Sequence, residues 1–182
     1  MLPPALAKNF SFKIHCGSSV GAINAAVMVA NAHDPLAQGQ ELVRVWQNLS
    51  TENVYRRGPV TLGKLILRLA GGGLAHLIGL KGITQPDDDL FPFQGLFDTA
   101  PFFQTLMRTC SWANITRNID SGIADAFVVS ATNMHTGELE LFLQKRPEVP
   151  HSERLRTHLG RISPRHVMAS AALPVLFPPV PI

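Results

Sequence analysis

The sequence Gly17-Ser18-Ser19-Val20-Gly21 lies between a run typical of a β-strand and a run typical of an α-helix. The strand pattern covers residues 10–16, and the helix pattern covers residues 20–32, which are rich in alanine. A G-x-S-x-G sequence between a strand and a helix predicts a nucleophile elbow, a tight turn that holds a serine side chain clear of the backbone. The sequence therefore predicts a strand, a tight turn and a helix in succession, and it places a candidate catalytic serine in the turn.

Glycines are expected on both sides of such a turn, because the residues two before and two after its apex crowd together. Gly17 and Gly21 meet this requirement around Ser19, the predicted nucleophile. The amide of Val20 begins the helix, where the positive end of the helix dipole stabilises an oxyanion. Ser18 is off the centre of the pattern, so we expect its side chain to point elsewhere. The alternative is a glycine-lined turn that only allows close packing.

Length and composition favour one globular domain over residues 1–182. The chain has 182 residues, of which 46% are hydrophobic and 16% charged, enough for a sizeable core. The net charge of +3 does not favour nucleic acid as a partner. Cys16 and Cys110 form no metal-spaced pair, and we expect Cys16 to be buried in the first strand. Two cysteines with no disulfide framework fit a protein of a reducing compartment.

The sequence predicts a cytoplasmic protein. Residues 1–8 lack the basic and then apolar pattern of a signal peptide, and no uninterrupted apolar run reaches the length of a membrane span. Residues 53–86 carry five cations and no acidic residue among many leucines. Such a stretch can bind peripherally to an anionic membrane. The alternative is an internal helical hairpin, broken at residues 71–73, with its leucines in the core. We expect no obligate protein partner.

Further elements alternate between helix and strand. Helices are predicted at residues 35–49, from Thr99 to about residue 110, and from Ser163 through residue 172, and strands at 126–132 and 138–143. In the last strand leucines alternate with glutamates, which predicts that the leucines face inward and the glutamates face solvent. These residues are Leu139, Leu141, Leu143, Glu138 and Glu140. The mixture predicts an α/β layered fold.

Four segments, in this order along the chain, resemble the patatin-like phospholipase family. They are residues 17–26 (GSSVGAINAA), 95–99 (GLFDT), 130–138 (SATNMHTGE) and 169–180 (ASAALPVLFPPV). The resemblance implies a layered fold with a central, mostly parallel sheet flanked by helices. It also implies a lipid or ester substrate and a Ser-Asp dyad that works through an acyl-enzyme without cofactor or metal. Ser19 is then the nucleophile, and the Val20 amide is one oxyanion donor.

Two features of that family have no counterpart in the sequence. Its glycine-rich oxyanion loop precedes the nucleophile strand, whereas residues 1–9 contain no glycine. Its activating aspartate is followed by glycine, and no aspartate of this chain is. We therefore expect a patatin-like domain that is incomplete at both ends, and a chain with little or no turnover by itself.

Two other functions remain open from the sequence. An α/β-hydrolase triad would follow the chain order Ser, Asp, His. It would combine Ser19 with one of two aspartates and one of three histidines, namely Asp120, Asp125, His151, His158 and His166. A non-catalytic lipid-binding module would instead use residues 53–86 and would be indifferent to Ser19. Its vesicle binding would weaken with salt, because salt screens charge attraction.

Overall fold

The computed structural model describes residues 11–48, 99–152, 154–172 and 177–182. In chain order its elements are β1 (Ile14–Ser18), α1 (Val20–Ala30), α2 (Pro35–Asn48), α3 (Ala100–Thr109), α4 (Trp112–Asp120), β2 (Ala126–Thr132), β3 (Leu139–Lys145), β4 (Thr157–Leu159) and α5 (Pro164–Ala171). The stretch of residues 53–86, for which we considered membrane binding or an internal hairpin, lies outside the described residues.

The four strands form one sheet in the order β1-β2-β3-β4. β1 pairs with β2 and β3 pairs with β4 in parallel, whereas β2 and β3 form an antiparallel pair. Two of the three pairings are therefore parallel, and helices intervene along the chain. The predicted α/β fold with a mostly parallel sheet is confirmed.

The core lies between one face of the sheet and the helices. Phe127 and Val129 of β2 and Phe142 of β3 point to this face and are buried. Helix α1 contacts β1, β2 and the helices α2, α4 and α5. Most of its residues are buried, so its alanines and valines form a nearly continuous apolar surface. Small side chains here let the surrounding elements approach closely, which fixes the helix directly behind residue 19.

Several element boundaries agree with the sequence predictions. Strand β2 covers the predicted residues 126–132, and α2 and α5 begin at the predicted prolines. Strand β1 starts later than predicted and continues to Ser18, and α1 ends two residues early, at Ala30. The sequence analysis missed α4 and β4. The apolar residues Ile115 and Ile119, spaced four apart after Ser111, were the available signal for α4.

The predicted orientation of β3 is wrong. Glu140 is only 8% exposed, whereas Leu139 is 53% exposed. Glu140 lies opposite Ala131, on the face that also carries Phe142 and Gln144 and packs towards the helices. Its carboxylate is tolerated there because His158 donates a hydrogen bond at 2.8 Å and Asn133 donates another at 3.2 Å. Hydrogen bonds from other parts of the chain therefore stabilise Glu140 on the covered face, although the alternation of leucine and glutamate predicted that it would face solvent.

The prediction that Cys16 is a buried core residue is also wrong, because this cysteine is exposed. It lies on the sheet face opposite the helices, as does Ile14, which is 58% exposed. His15, between them, faces the core and is buried. A buried run was predicted for the strand, but β1 alternates instead, as expected for a strand with one covered face.

Asn118 joins α4 to the end of α1, and its loss should destabilise the fold. Its side-chain amide donates to the carbonyls of Val29, at 2.8 Å, and Ala30, at 3.1 Å. The side chain is 1% exposed, so water does not replace it freely. We expect Asn118→Ala to lower the free energy of unfolding by about 2 kcal/mol in urea titrations. Asn114→Ala, on the same helix, should cost about 0.5 kcal/mol or less. Equal costs for the two variants would contradict this role.

Candidate active site

Ser19 occupies the turn between β1 and α1 by itself. The strand ends at Ser18 and the helix begins at Val20. Its backbone angles are φ 53° and ψ −121°, and among the described residues it is the one non-glycine residue with positive φ. Such angles cost an L-residue on the order of 1–3 kcal/mol and persist only where the surroundings enforce them. The backbone therefore has the strain expected of a nucleophile elbow.

The turn requires the end of β1 to approach the start of α1 closely, and this approach occurs at Gly17. A Cβ atom at this position would overlap the carbonyl group of Gly21 and crowd the amide of Ala22, all of them backbone atoms. By contrast, a Cβ at Gly21 would meet nothing within 4 Å. The expectation that both glycines relieve crowding is therefore correct for Gly17 and wrong for Gly21.

A bond from a distant helix holds the turn. The backbone N–H of Ser19 donates to the Oγ atom of Ser170, in α5, at 2.7 Å. The carbonyl of Ser19 accepts from the N–H of Ala22 at 3.0 Å, which closes the first turn of α1. The amide of Val20 belongs to that first turn, where backbone N–H groups lack acceptors inside the helix. Among the described residues no acceptor is seen for the Val20 amide, whereas the Ser19 amide is bound to Ser170.

Ser19 is among the residues that line a small cavity of about 160 Å³, whose described lining is mostly apolar. Helices α1, α2, α3 and α5 all contribute to its walls, together with residues near the C-terminal end of the chain. Its larger side chains are Ile23, Trp46, Phe102, Met168 and Phe177. Ser18 is exposed and does not belong to this lining. The elbow therefore places a hydroxyl-bearing residue beside a site suited to a hydrocarbon group.

A larger cavity, of about 730 Å³, lies on the other side of Ala172 and Val180, which line both spaces. Its walls include Glu140 and His158 but not Ser19. The hydrogen bond from His158 lowers the pKa of the Glu140 carboxyl. Size therefore does not identify the site of chemistry here, because the strained serine belongs to the smaller cavity.

The histidines of the triad alternative are not brought to Ser19. His158 is bound to Glu140, and Nδ1 of His166 accepts the backbone N–H of Ser163 at 2.9 Å. Burial lowers the pKa of His166. His151 is exposed. In the described ranges, none of these three residues forms a hydrogen bond with the Ser19 hydroxyl.

The described aspartates have other roles. Asp34 accepts the backbone N–H groups of Leu36 and Ala37, at 3.0 and 3.1 Å, and so begins α2. Asp125 lies 3.4 Å from the guanidinium of Arg146. Asp120 is the last residue of α4. Within the part of the chain that the structure describes, no aspartate contacts Ser19 through a hydrogen bond, and no group of three or more His, Cys, Asp or Glu side chains could hold a metal ion.

Two contacts of the site were not predicted from the sequence. Ser170 contacts Ser19 across 151 positions of chain. The indole N–H of Trp46 donates to the side-chain oxygen of Asn24 at 2.9 Å and fixes one wall of the small cavity. No local sequence pattern pointed to the Asn24 partner of Trp46. The described helices include none that is both long and apolar enough to cross a membrane.

The comparisons with known proteins identify the family of the chain. The family model described as patatin-like phospholipase matches residues 5–182, almost the whole chain. No curated protein and no solved structure matches the chain significantly. The match is consistent with the α/β architecture described above. The chain therefore belongs to the patatin-like phospholipase family and is, in that general sense, a lipid acyl hydrolase.

Proposed function

We propose that Ser19 is the nucleophile of a carboxylic-ester hydrolase. The observation that supports this most is the strained serine at the β1–α1 turn, beside an apolar cavity. The Ser19 oxygen attacks the ester carbonyl carbon and forms a tetrahedral oxyanion. Collapse breaks the bond to the alcohol, which leaves with a proton, and an acyl-serine remains. Water then attacks the acyl-serine, releases the carboxylic acid and restores the hydroxyl.

The Val20 amide is the proposed donor to the oxyanion. It stands at the N-terminus of α1, where the N–H groups point out of the helix and the helix dipole is positive. The Ser19 amide cannot share this task while it is bound to Ser170. Fixed donors of this kind contribute about a hundredfold or more to the rate, because they need no reorganisation during the reaction.

Activation of Ser19 requires a base to accept its proton. The resemblance implies an aspartate, and none of the described aspartates bonds to Ser19. We therefore propose that the 182-residue chain by itself acylates slowly. Losing one member of a catalytic pair lowers the rate about a thousandfold or more. The first experiment therefore measures one covalent event rather than turnover.

Labelling with a fluorophosphonate probe tests the nucleophile. We expect slow but stoichiometric modification of Ser19 in the 182-residue chain and none in Ser19→Ala. The matched control is Ser18→Ala, because this neighbouring serine is more exposed than Ser19 but lies on the regular strand. Intact mass and peptide mapping identify the modified residue. Labelling that persists in Ser19→Ala, or that maps to Ser18, would contradict the proposal.

We also propose that residues 1–182 form one domain and that residues 53–86 contact an anionic membrane surface. Sedimentation with anionic vesicles at low and high salt tests the membrane contact, because binding through cations weakens as salt is added. Failure to sediment at low salt would remove the membrane contact without affecting the role of Ser19.

A further inference from the structure

We propose that the small cavity beside Ser19 is the acyl-chain site and that it limits the favoured substrates to short-chain acyl esters, with acyl groups of about six carbons. This inference rests on the proposed function, since it takes Ser19 as the atom that receives the acyl group. It adds the substrate class and the residues that determine it.

The lining of the cavity indicates a hydrocarbon ligand. Four helices contribute side chains, and the walls are apolar except at the elbow and at the start of α3. The residues that define the space are Val20, Ile23, Trp46, Phe102, Met168 and Ala171. No charged residue is among the described residues that line it. Because Ser19 stands in the same lining, a carbonyl carbon at its hydroxyl would direct the attached chain into this space.

The volume limits how much of the chain can be buried. The cavity holds about 160 Å³. An engineered apolar cavity of about 150 Å³ in another protein binds benzene, a molecule of six carbons. Each methylene that enters the cavity should therefore improve recognition about fourfold, until roughly six carbons are inside. Further carbons remain in water and add nothing, so selectivity should level off rather than continue to rise.

Trp46 is the wall that should set this limit. Its indole N–H donates to Asn24 of α1 at 2.9 Å, which ties the ring of an α2 residue to the helix behind the nucleophile. Trp46 lines the cavity and is also 38% exposed, so it lies at a solvent-facing edge of this space. Its hydrogen bond to Asn24 favours the observed position of the ring over positions that would admit a longer chain. Removing the ring should lengthen the space available.

The test measures how alcohol binding, without turnover, and ester hydrolysis, with turnover, each depend on chain length. Binding of straight-chain alcohols from butanol to decanol is followed by calorimetry in a Ser19→Ala background. In parallel, kcat/KM is measured for p-nitrophenyl esters of increasing acyl length with the chain that carries Ser19. We expect both series to rise about fourfold per methylene and to level near six carbons. We call the chain length at which a series levels off the break. In Trp46→Ala the break should move to longer chains, and in Trp46→Phe it should move less.

The control is Val43→Ala, because Val43 lies on the same helix, is 48% exposed and does not line the cavity. It should leave the break in place. An uninterrupted rise to decanol, or a break unchanged in Trp46→Ala, would overturn the size limit even if Ser19 is labelled. A break in alcohol binding with no labelling of Ser19 would instead overturn the proposed function and leave the size limit standing.

Discussion

Gly17→Ala is expected to abolish fluorophosphonate labelling of Ser19 and to lower the free energy of unfolding by about 3 kcal/mol. The added methyl group would overlap the carbonyl of Gly21, which is backbone and belongs to the first turn of α1. No rotamer change relieves such a clash, so the strand and the helix must separate. Because α1 contacts β1, β2 and three other helices, that separation disturbs the centre of the fold.

Urea unfolding and intact-mass labelling measure the two effects. Gly39→Ala is the matched control, since a Cβ at this position of α2 would meet nothing within 4 Å. Alanine is also the better helix former, so this variant should be as stable as the parent or more stable by up to about 1 kcal/mol. Gly21→Ala should likewise fold, because its Cβ has open space. A stable, fully labelled Gly17→Ala protein would show that the close approach of Gly17 to Gly21 is not what holds Ser19 in its strained conformation.

The elbow and much of the fold could be predicted because their signals are local. A G-x-S-x-G sequence fixes a strand before it and a helix after it, and both were found around Ser19. The run of residues 126–132 is rich in β-formers, namely Phe127, Val128, Val129 and Thr132, so β2 was predicted with its observed bounds. Strand β4, with three residues, is too short to show any periodicity, and it forms because β3 offers it a parallel edge.

The errors share one physical origin, which is tertiary contact. Local alternation could not show that Glu140 would find His158 and Asn133, so the strand was predicted with its faces reversed. Nor could the sequence show that only one face of β1 would be covered, and Cys16 was predicted in the core because the whole strand was taken as buried. At the site, the G-x-S-x-G sequence identifies Ser19, but the contact with Ser170 depends on how α5 packs against β1 and β2.

Ser170→Ala should slow the acylation of Ser19 about tenfold while leaving the protein folded. The Ser170 hydroxyl accepts the Ser19 N–H at 2.7 Å and so helps to hold the strained backbone angles of the elbow. Losing this bond costs about 1.5 kcal/mol, which corresponds to roughly a tenfold change in a rate or a population. Because Ser170 acts through the backbone of Ser19, it is a positioning residue, and pseudo-first-order labelling rates report its effect directly.

Ser170→Thr distinguishes positioning from a general effect on stability. Threonine keeps the hydroxyl, so the labelling rate should recover towards that of the parent even if the extra methyl group lowers the unfolding free energy slightly. If Ser170 had a purely structural role, the labelling rates of Ser170→Ala and Ser170→Thr would instead follow their free energies of unfolding. If Ser170→Ala labels as fast as the parent, the amide of Ser19 does not need this acceptor. The elbow would then be maintained by the packing of α1 and the close approach of Gly17 to Gly21.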